Sequence, residues 1–292
     1  MKGIRYFFEA VFLHLFYAIF RLLPLDSASA LGGWIGRTIG PHLPDSRIAL
    51  ANLKEALPGR TDEEYARIVA GMWENLGRVM AEYPHLAQIG RERVEISTAD
   101  KNRVLRLRDD GKPGVLFGAH LANWEACAAA LQMKYGFSMD LVYRAPNNPW
   151  VVGLLERARN LNGILKTIRK SRAGARQIVD SLKQGRHVAI LIDQKYNEGI
   201  SVPFFGRPAM TSEAFVQLAQ KHKCPLVPGR MERLGGANFR LSTDDGEISL
   251  FDATGRPLPA EHVIAEAHAR LECWIAAQPE QWLWIHRRWI HS

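Results

Sequence analysis

The chain has 292 residues, 47% of them hydrophobic and 23% charged, with a formal net charge of +8. That balance suits one large globular domain or two small ones and excludes a disordered chain or a polytopic membrane protein. The positive excess asks for an anionic partner: nucleic acid, phospholipid headgroups or an acidic protein.

The first element is apolar. Residues 4–25 read IRYFFEAVFLHLFYAIFRLLPL, about the length of the roughly 20 residues that a spanning helix needs. Arg5 and Glu9 stand four apart and can pair on one helix face. Aromatic residues such as Phe7, Phe8, Phe12 and Phe16 suit a membrane interface. Pro24, Leu25 and Asp26 make a poor cleavage site, which argues against a removed signal peptide. Residues 1–25 are expected to form a membrane-anchor helix, spanning the bilayer or lying in its interface. A buried core helix is the plainer alternative.

Residues 26–92 form a helical lead-in, with short helices expected over 26–40 and 45–57. Thr61 followed by Asp62, Glu63 and Glu64 is a good helix start, a cap with acids in the first turn. That helix should run to about Tyr83, before Pro84. From about Arg93 strands and helices alternate. Strands are expected over 94–97, 114–119, 139–143, 163–168, 187–193, 225–230 and 238–243. Helices are expected over 101–108, 123–134, 150–160, 172–183, 212–221 and 261–277. The pattern predicts a single α/β domain over 26–292, with a mainly parallel central sheet flanked by helices. Such sheets place ligands at the carboxyl ends of their strands.

Three segments at those ends carry candidate chemistry. In GVLFGAHLANWE a buried strand ends at His120, Asn123 can cap the next helix, and Glu125 falls in its first turn. With a turn between them the two side chains can converge. Glu125 would hold one imidazole nitrogen while the other takes a proton from an attacking hydroxyl. Arg144 follows the strand LVY, and Arg157 and Arg159 lie on the helix after it, in ERARN. Arginine binds phosphate or carboxylate through two parallel bonds. Asp193 stands where the strand HVAILI exits, placed to anchor an arginine or orient a substrate. Phe204 and Phe205, before Gly206, suit either an acyl-chain pocket or the ordinary core. Cys127, Cys224 and Cys273 form no CxxC pair, so neither a zinc site nor a disulfide framework is indicated. The chain has no GxSxG, GxxxxGK[ST], GxGxxG or HExxH pattern.

Taken together, HxxxxE after a hydrophobic strand, YRAPNNP, the RxR helix, ILIDQ, VPFFG and the closing PEQWLWIHRRW resemble one family. It is the late (secondary) acyltransferases of lipid A biosynthesis, the lauroyl and myristoyl transferases, with the HxxxxD glycerolipid acyltransferases as more distant kin. The resemblance covers nearly the whole chain. It implies transfer of a fatty acyl chain from acyl carrier protein to a hydroxyl of a lipid A precursor, at the cytoplasmic face of the bacterial inner membrane. It implies a catalytic pair of His120 and Glu125, with Arg144, Asp193 and the RxR arginine binding substrate. Arg159 matches the RxR position best by its distance from Pro149, with Arg157 competing. Neither a metal nor an organic cofactor is expected. The basic balance then suits an acidic carrier protein and lipid phosphates rather than nucleic acid. Two other readings stay open: an acyltransferase of another glycolipid or a lysophospholipid, and a non-catalytic basic membrane-associated binding protein.

Overall fold

The computed structural model describes residues 2–243 and 246–289. Five helices lead: α1 (Lys2–Leu22), α2 (Leu25–Ile39), α3 (Asp45–Ala56), α4 (Asp62–Glu82) and α5 (Leu86–Glu92). Arg5 and Glu9 pair at 3.1 Å on α1. Thr61 caps α4 through a capping box closed by Glu64, so the start read from the acids is the start that forms. Helices α2 and α4 cross closely. A Cβ on Gly77 would collide with the Gly32 carbonyl, and one on Gly36 with the Trp73 carbonyl.

The alternating region follows as β1 (Val94–Ile96), α6 (Thr98–Asp109), β2 (Val115–Gly118), α7 (Glu125–Tyr135), β3 (Met139–Tyr143) and α8 (Pro149–Arg159). Next come β4 (Lys166–Arg169), α9 (Arg172–Lys183), β5 (His187–Leu191), β6 (Ile200–Phe204) and β7 (Arg207–Thr211). The last are α10 (Ala214–His222), β8 (Leu226–Pro228), β9 (Arg230–Gly235), β10 (Asn238–Ser242) and α11 (Ala260–Ala277). The central sheet has the order β4-β3-β5-β2-β8, and every pairing in it is parallel. Side chains alternate across it. Val115 and Phe117 point into one core with α9, α10 and α11, and Leu116 into the other with α5 and α7. The α/β fold with helices on both faces is thus as expected.

Two features differ from the expectation. Strands β6 and β7 form an antiparallel hairpin with Pro203 opposite Pro208. Proline donates no hydrogen bond and normally argues against a strand, so the pattern hides this hairpin. Its turn is Phe205-Gly206, both left-handed at φ 51° and 69°. The strand expected over 225–230 ends at Pro228, and β9 begins at Arg230 to pair with β10, which in turn pairs with β1.

Helix α1 is long and apolar enough to cross a membrane by length and composition, and its apolar stretch is mostly unburied. It is nevertheless docked on the body at both ends. Asn148 donates to the Tyr6 carbonyl at 2.8 Å, and Phe7 meets Trp150 edge-on at 5.6 Å. At the other end His85 donates to the Phe20 carbonyl at 2.9 Å, and Phe20 packs against Ala28 and Ala81. The outer face leaves Phe8 66% and Phe12 68% exposed.

Candidate active site

The central sheet brings two strand ends together. Strands β2 and β5 are neighbours in parallel register, with Gly118 opposite Leu191. Two residues beyond each of these lie His120 and Asp193. Asp193 accepts the His120 backbone N–H at 2.9 Å, the imidazole Nδ1–H at 2.8 Å and the Trp282 indole N–H at 2.8 Å. Its side chain is fully buried. Burial opposes the charge, but His120 outweighs it and holds the carboxyl well below the usual carboxylate range. Asp193 is therefore a carboxylate acceptor at Nδ1, and the tautomer of a neutral imidazole that this contact selects has its proton on Nδ1 and its lone pair on Nε2. Gln194 approaches that nitrogen, its amide nitrogen at 3.2 Å and also 2.9 Å from His286 Nε2.

The turn after β2 is tied down from two sides. Ala122 sits in the left-handed region at φ 48°, a conformation that neighbouring contacts have to hold. Its N–H donates to the Gln281 carbonyl at 2.9 Å, and its own carbonyl accepts from Asn75 of α4 at 3.0 Å. The Leu283 N–H reaches the His120 carbonyl at 3.2 Å. Asn123 Oδ1 accepts the Ala126 N–H at 3.3 Å, but the N-cap position of α7 is Trp124, one residue later than expected, and it makes no side-chain cap bond. The closing PEQWLWIHRRW segment thus wraps the turn. Trp282 binds Asp193, and Arg288 and Trp289 reach the β6–β7 hairpin at Thr211 and Phe204.

Glu125 does not supply the hydrogen bond to the imidazole that the spacing suggested. Its carboxylate takes Arg159 Nε at 2.8 Å and Nη2 at 2.6 Å, with the Tyr83 hydroxyl at 2.7 Å and the Trp124 indole N–H at 3.2 Å. The reason is the turn, which sets Glu125 on α7 facing Arg159 of α8 and Tyr83 just past α4, while β5 delivers Asp193 to His120. Burial would raise the Glu125 carboxyl, but Arg159 prevails and holds it below its ordinary value. The Arg159 guanidinium also lies over the Tyr143 ring, 4.7 Å from its centre.

A cavity of about 470 Å³ opens beside these groups and is lined by His120, Glu125, Arg159, Gln194 and His286. Its apolar lining includes Leu116, Ala128, Met139, Leu141 and Met231, all on the α7 side of the sheet. Arg144 and Lys170 line it as well. Of the RxR pair, Arg159 enters the cavity, whereas Arg157 is exposed and donates back to the Gly153 carbonyl of its own helix. Phe204 and Phe205 belong to the core instead, where Phe204 stacks on Trp289 at 5.8 Å.

Residues 3–291 match the model of the bacterial lipid A biosynthesis acyltransferase family. The chain belongs to that family. It is 25% identical over 277 residues to the lipid A biosynthesis palmitoleoyltransferase of Escherichia coli (strain K12), which covers 91% of this chain and 86% of that protein. The same figures hold for a lipid A biosynthesis acyltransferase of Shigella flexneri.

In this lipid A acyltransferase the arrangement is an imidazole bonded to a buried carboxylate beside an apolar cavity that Arg144, Arg159 and Lys170 also line. Four residues of it went unread in the sequence. Gln194 follows Asp193 directly, and Trp282 and His286 stand in the closing motif, so all three lay inside segments already singled out. Tyr83, in the turn just past α4, carried no signal.

Proposed function

We propose that this lipid A acyltransferase moves a fatty acyl chain from the thioester of acyl carrier protein to a hydroxyl of a lipid A precursor. The observation that carries this reading is the His120–Asp193 pair opening onto the apolar cavity. In the transfer, His120 Nε2 takes the proton of the acceptor hydroxyl as its oxygen attacks the thioester carbonyl. Asp193 keeps Nδ1–H in place and stabilises the imidazolium that forms. The acyl chain lies along the Leu116, Met139 and Met231 wall. Arg144 and Lys170 form an electropositive rim for phosphate; burial holds the lysine pKa below its ordinary value, against the opposing pull of Asp193. Glu125 acts through Arg159, fixing a guanidinium at the cavity wall.

The site faces the cytoplasmic side of the bacterial inner membrane in this reading. Helix α1 lies in the interface rather than across it. Both its ends are fastened to the body, and Asn148, which holds its start, directly follows the cavity-lining Asn147. A lipid acceptor held beside α1 then has a short path to His120.

The test is transfer of radiolabelled acyl chain from acyl carrier protein to a lipid A precursor by purified protein. His120→Ala should lower kcat by about 10²–10⁴-fold, the usual contribution of a general base. Asp193→Asn should fall similarly, because the imidazole loses its tautomer lock. A folded His120→Ala protein that transfers at near the wild-type rate removes this mechanism. Parallel assays with a lysophospholipid acceptor decide the acceptor class.

A further inference from the structure

Gln194 occupies the place that the acceptor hydroxyl must take. Asp193 accepts a hydrogen bond from His120 Nδ1–H at 2.8 Å, so Nε2 of the neutral ring offers a lone pair, and the Gln194 amide nitrogen lies 3.2 Å from it. Turning the amide over would set its oxygen against that lone pair. The same amide nitrogen is 2.9 Å from His286 Nε2. His286 is neutral, because burial and then the adjacent His120 push its pKa down to about 4. A primary amide has two N–H groups, and the two imidazoles use both.

This pattern has to change during the reaction. A hydroxyl giving its proton to Nε2 displaces the amide N–H there. Once protonated, Nε2 is a donor and no longer accepts the amide. The bond to His286 survives this change and keeps the amide within hydrogen-bond reach of the reacting atoms. The carbonyl under attack lies about 3–3.5 Å from the attacking oxygen, so its oxygen comes next to the freed N–H. Four nearby donors are committed elsewhere: Arg159 Nε and Nη2 to Glu125, Trp124 Nε1 to Glu125, and Trp282 Nε1 to Asp193.

We propose that Gln194, tethered by His286, is the side-chain donor to the oxyanion formed during acyl transfer. This rests on the acyl-transfer reading above. In the step, a lone pair of the hydroxyl oxygen forms the new C–O bond while its proton goes to His120 Nε2. The carbonyl π pair moves onto oxygen, which accepts the Gln194 N–H. Collapse restores the C=O bond and breaks the C–S bond, and the leaving sulfur takes the proton back from His120. Gln194 then returns to Nε2.

Steady-state kinetics with acyl-loaded acyl carrier protein and a lipid A precursor test the assignment. Removing one oxyanion donor costs about 10²–10³-fold in kcat. Gln194→Ala should show that loss with KM within a few-fold of wild type, and Gln194→Glu, which fills the same space without an N–H, should match it. His286→Ala should lose about tenfold by loosening the tether, and the double variant should be no slower than Gln194→Ala alone. The assignment is overturned if folded Gln194→Glu keeps kcat within threefold of wild type, if the loss falls in KM, or if the two substitutions multiply. With an active wild type and a dead His120→Ala, those results leave the acyl-transfer reading standing. A wild type that transfers nothing ends both.

Discussion

Glu125 and Arg159 are a buried ion pair, with side chains 7% and 14% exposed. Breaking such a pair by removing one partner typically costs about 3–5 kcal/mol, because the other charge stays buried alone. Glu125→Gln should therefore lower the urea midpoint markedly, and replacing both residues by methionine should recover most of the loss. The direction with pH follows from the depressed carboxyl. Its contribution is complete above the unfolded glutamate value near 4.3 and is lost as pH falls through the lower folded value. The gap between wild type and Glu125→Gln should then narrow in acid, and a gap that widens rules out this account. A sequence reading pairs His120 with Glu125 because they are neighbours along the chain. The partner found, Asp193, is 73 residues away. It was readable in another way, since each residue ends a buried strand and both strands belong to one parallel sheet. What sequence cannot supply is which two strands are adjacent. That depends on β5 inserting between β3 and β2.

At the scale of elements, the parallel core was legible because most of its strands are short apolar runs set between helices, the edge strand β4 with Lys166 and Arg169 being the exception. The hairpin was not, since its two prolines break the strand pattern while its inward residues, Val202, Phe204 and Ala209, are buried in the core. Nor did the glycines of α2 and α4 announce themselves. Gly32 and Gly36 stand four apart on α2, and their meaning appears only once Gly77 of α4 is seen against them. This contact predicts the sign of a substitution. On a free helix face, glycine to alanine stabilises by about 1 kcal/mol through helix propensity. At Gly77 the added methyl meets the Gly32 backbone, and such overpacking costs about 1–3 kcal/mol. Gly77→Ala should thus lower Tm, and a rise in Tm would show that these helices do not cross as described.

The whole molecule presents its apolar surface unevenly. The outer face of α1 exposes Phe8 and Phe12, and Trp34 of α2 and Trp150 of α8 are 65% and 55% exposed. Single exposed apolar residues are ordinary, whereas several exposed aromatics on one apolar helix fit the proposed contact of α1 with lipid. Deleting α1 is an incomplete test of that role. It removes the lipid-facing side chains and also the Phe20 contact with Ala28 and Ala81, so loss of binding could reflect a damaged body. Phe8→Glu/Phe12→Glu separates the two effects, because both side chains point outward and the docking contacts through Tyr6, Phe7 and Phe20 remain. Burying one phenylalanine contributes about 1.5–3 kcal/mol, so the double variant should bind vesicles of mixed neutral and anionic phospholipid at least tenfold more weakly in sedimentation. Its Tm in detergent should match wild type. With α1 lying in the interface, the variant should also lose transfer to vesicle-borne acceptor while keeping transfer to the same acceptor in mixed micelles. Equal vesicle binding by wild type and variant would move the membrane contact elsewhere on the protein.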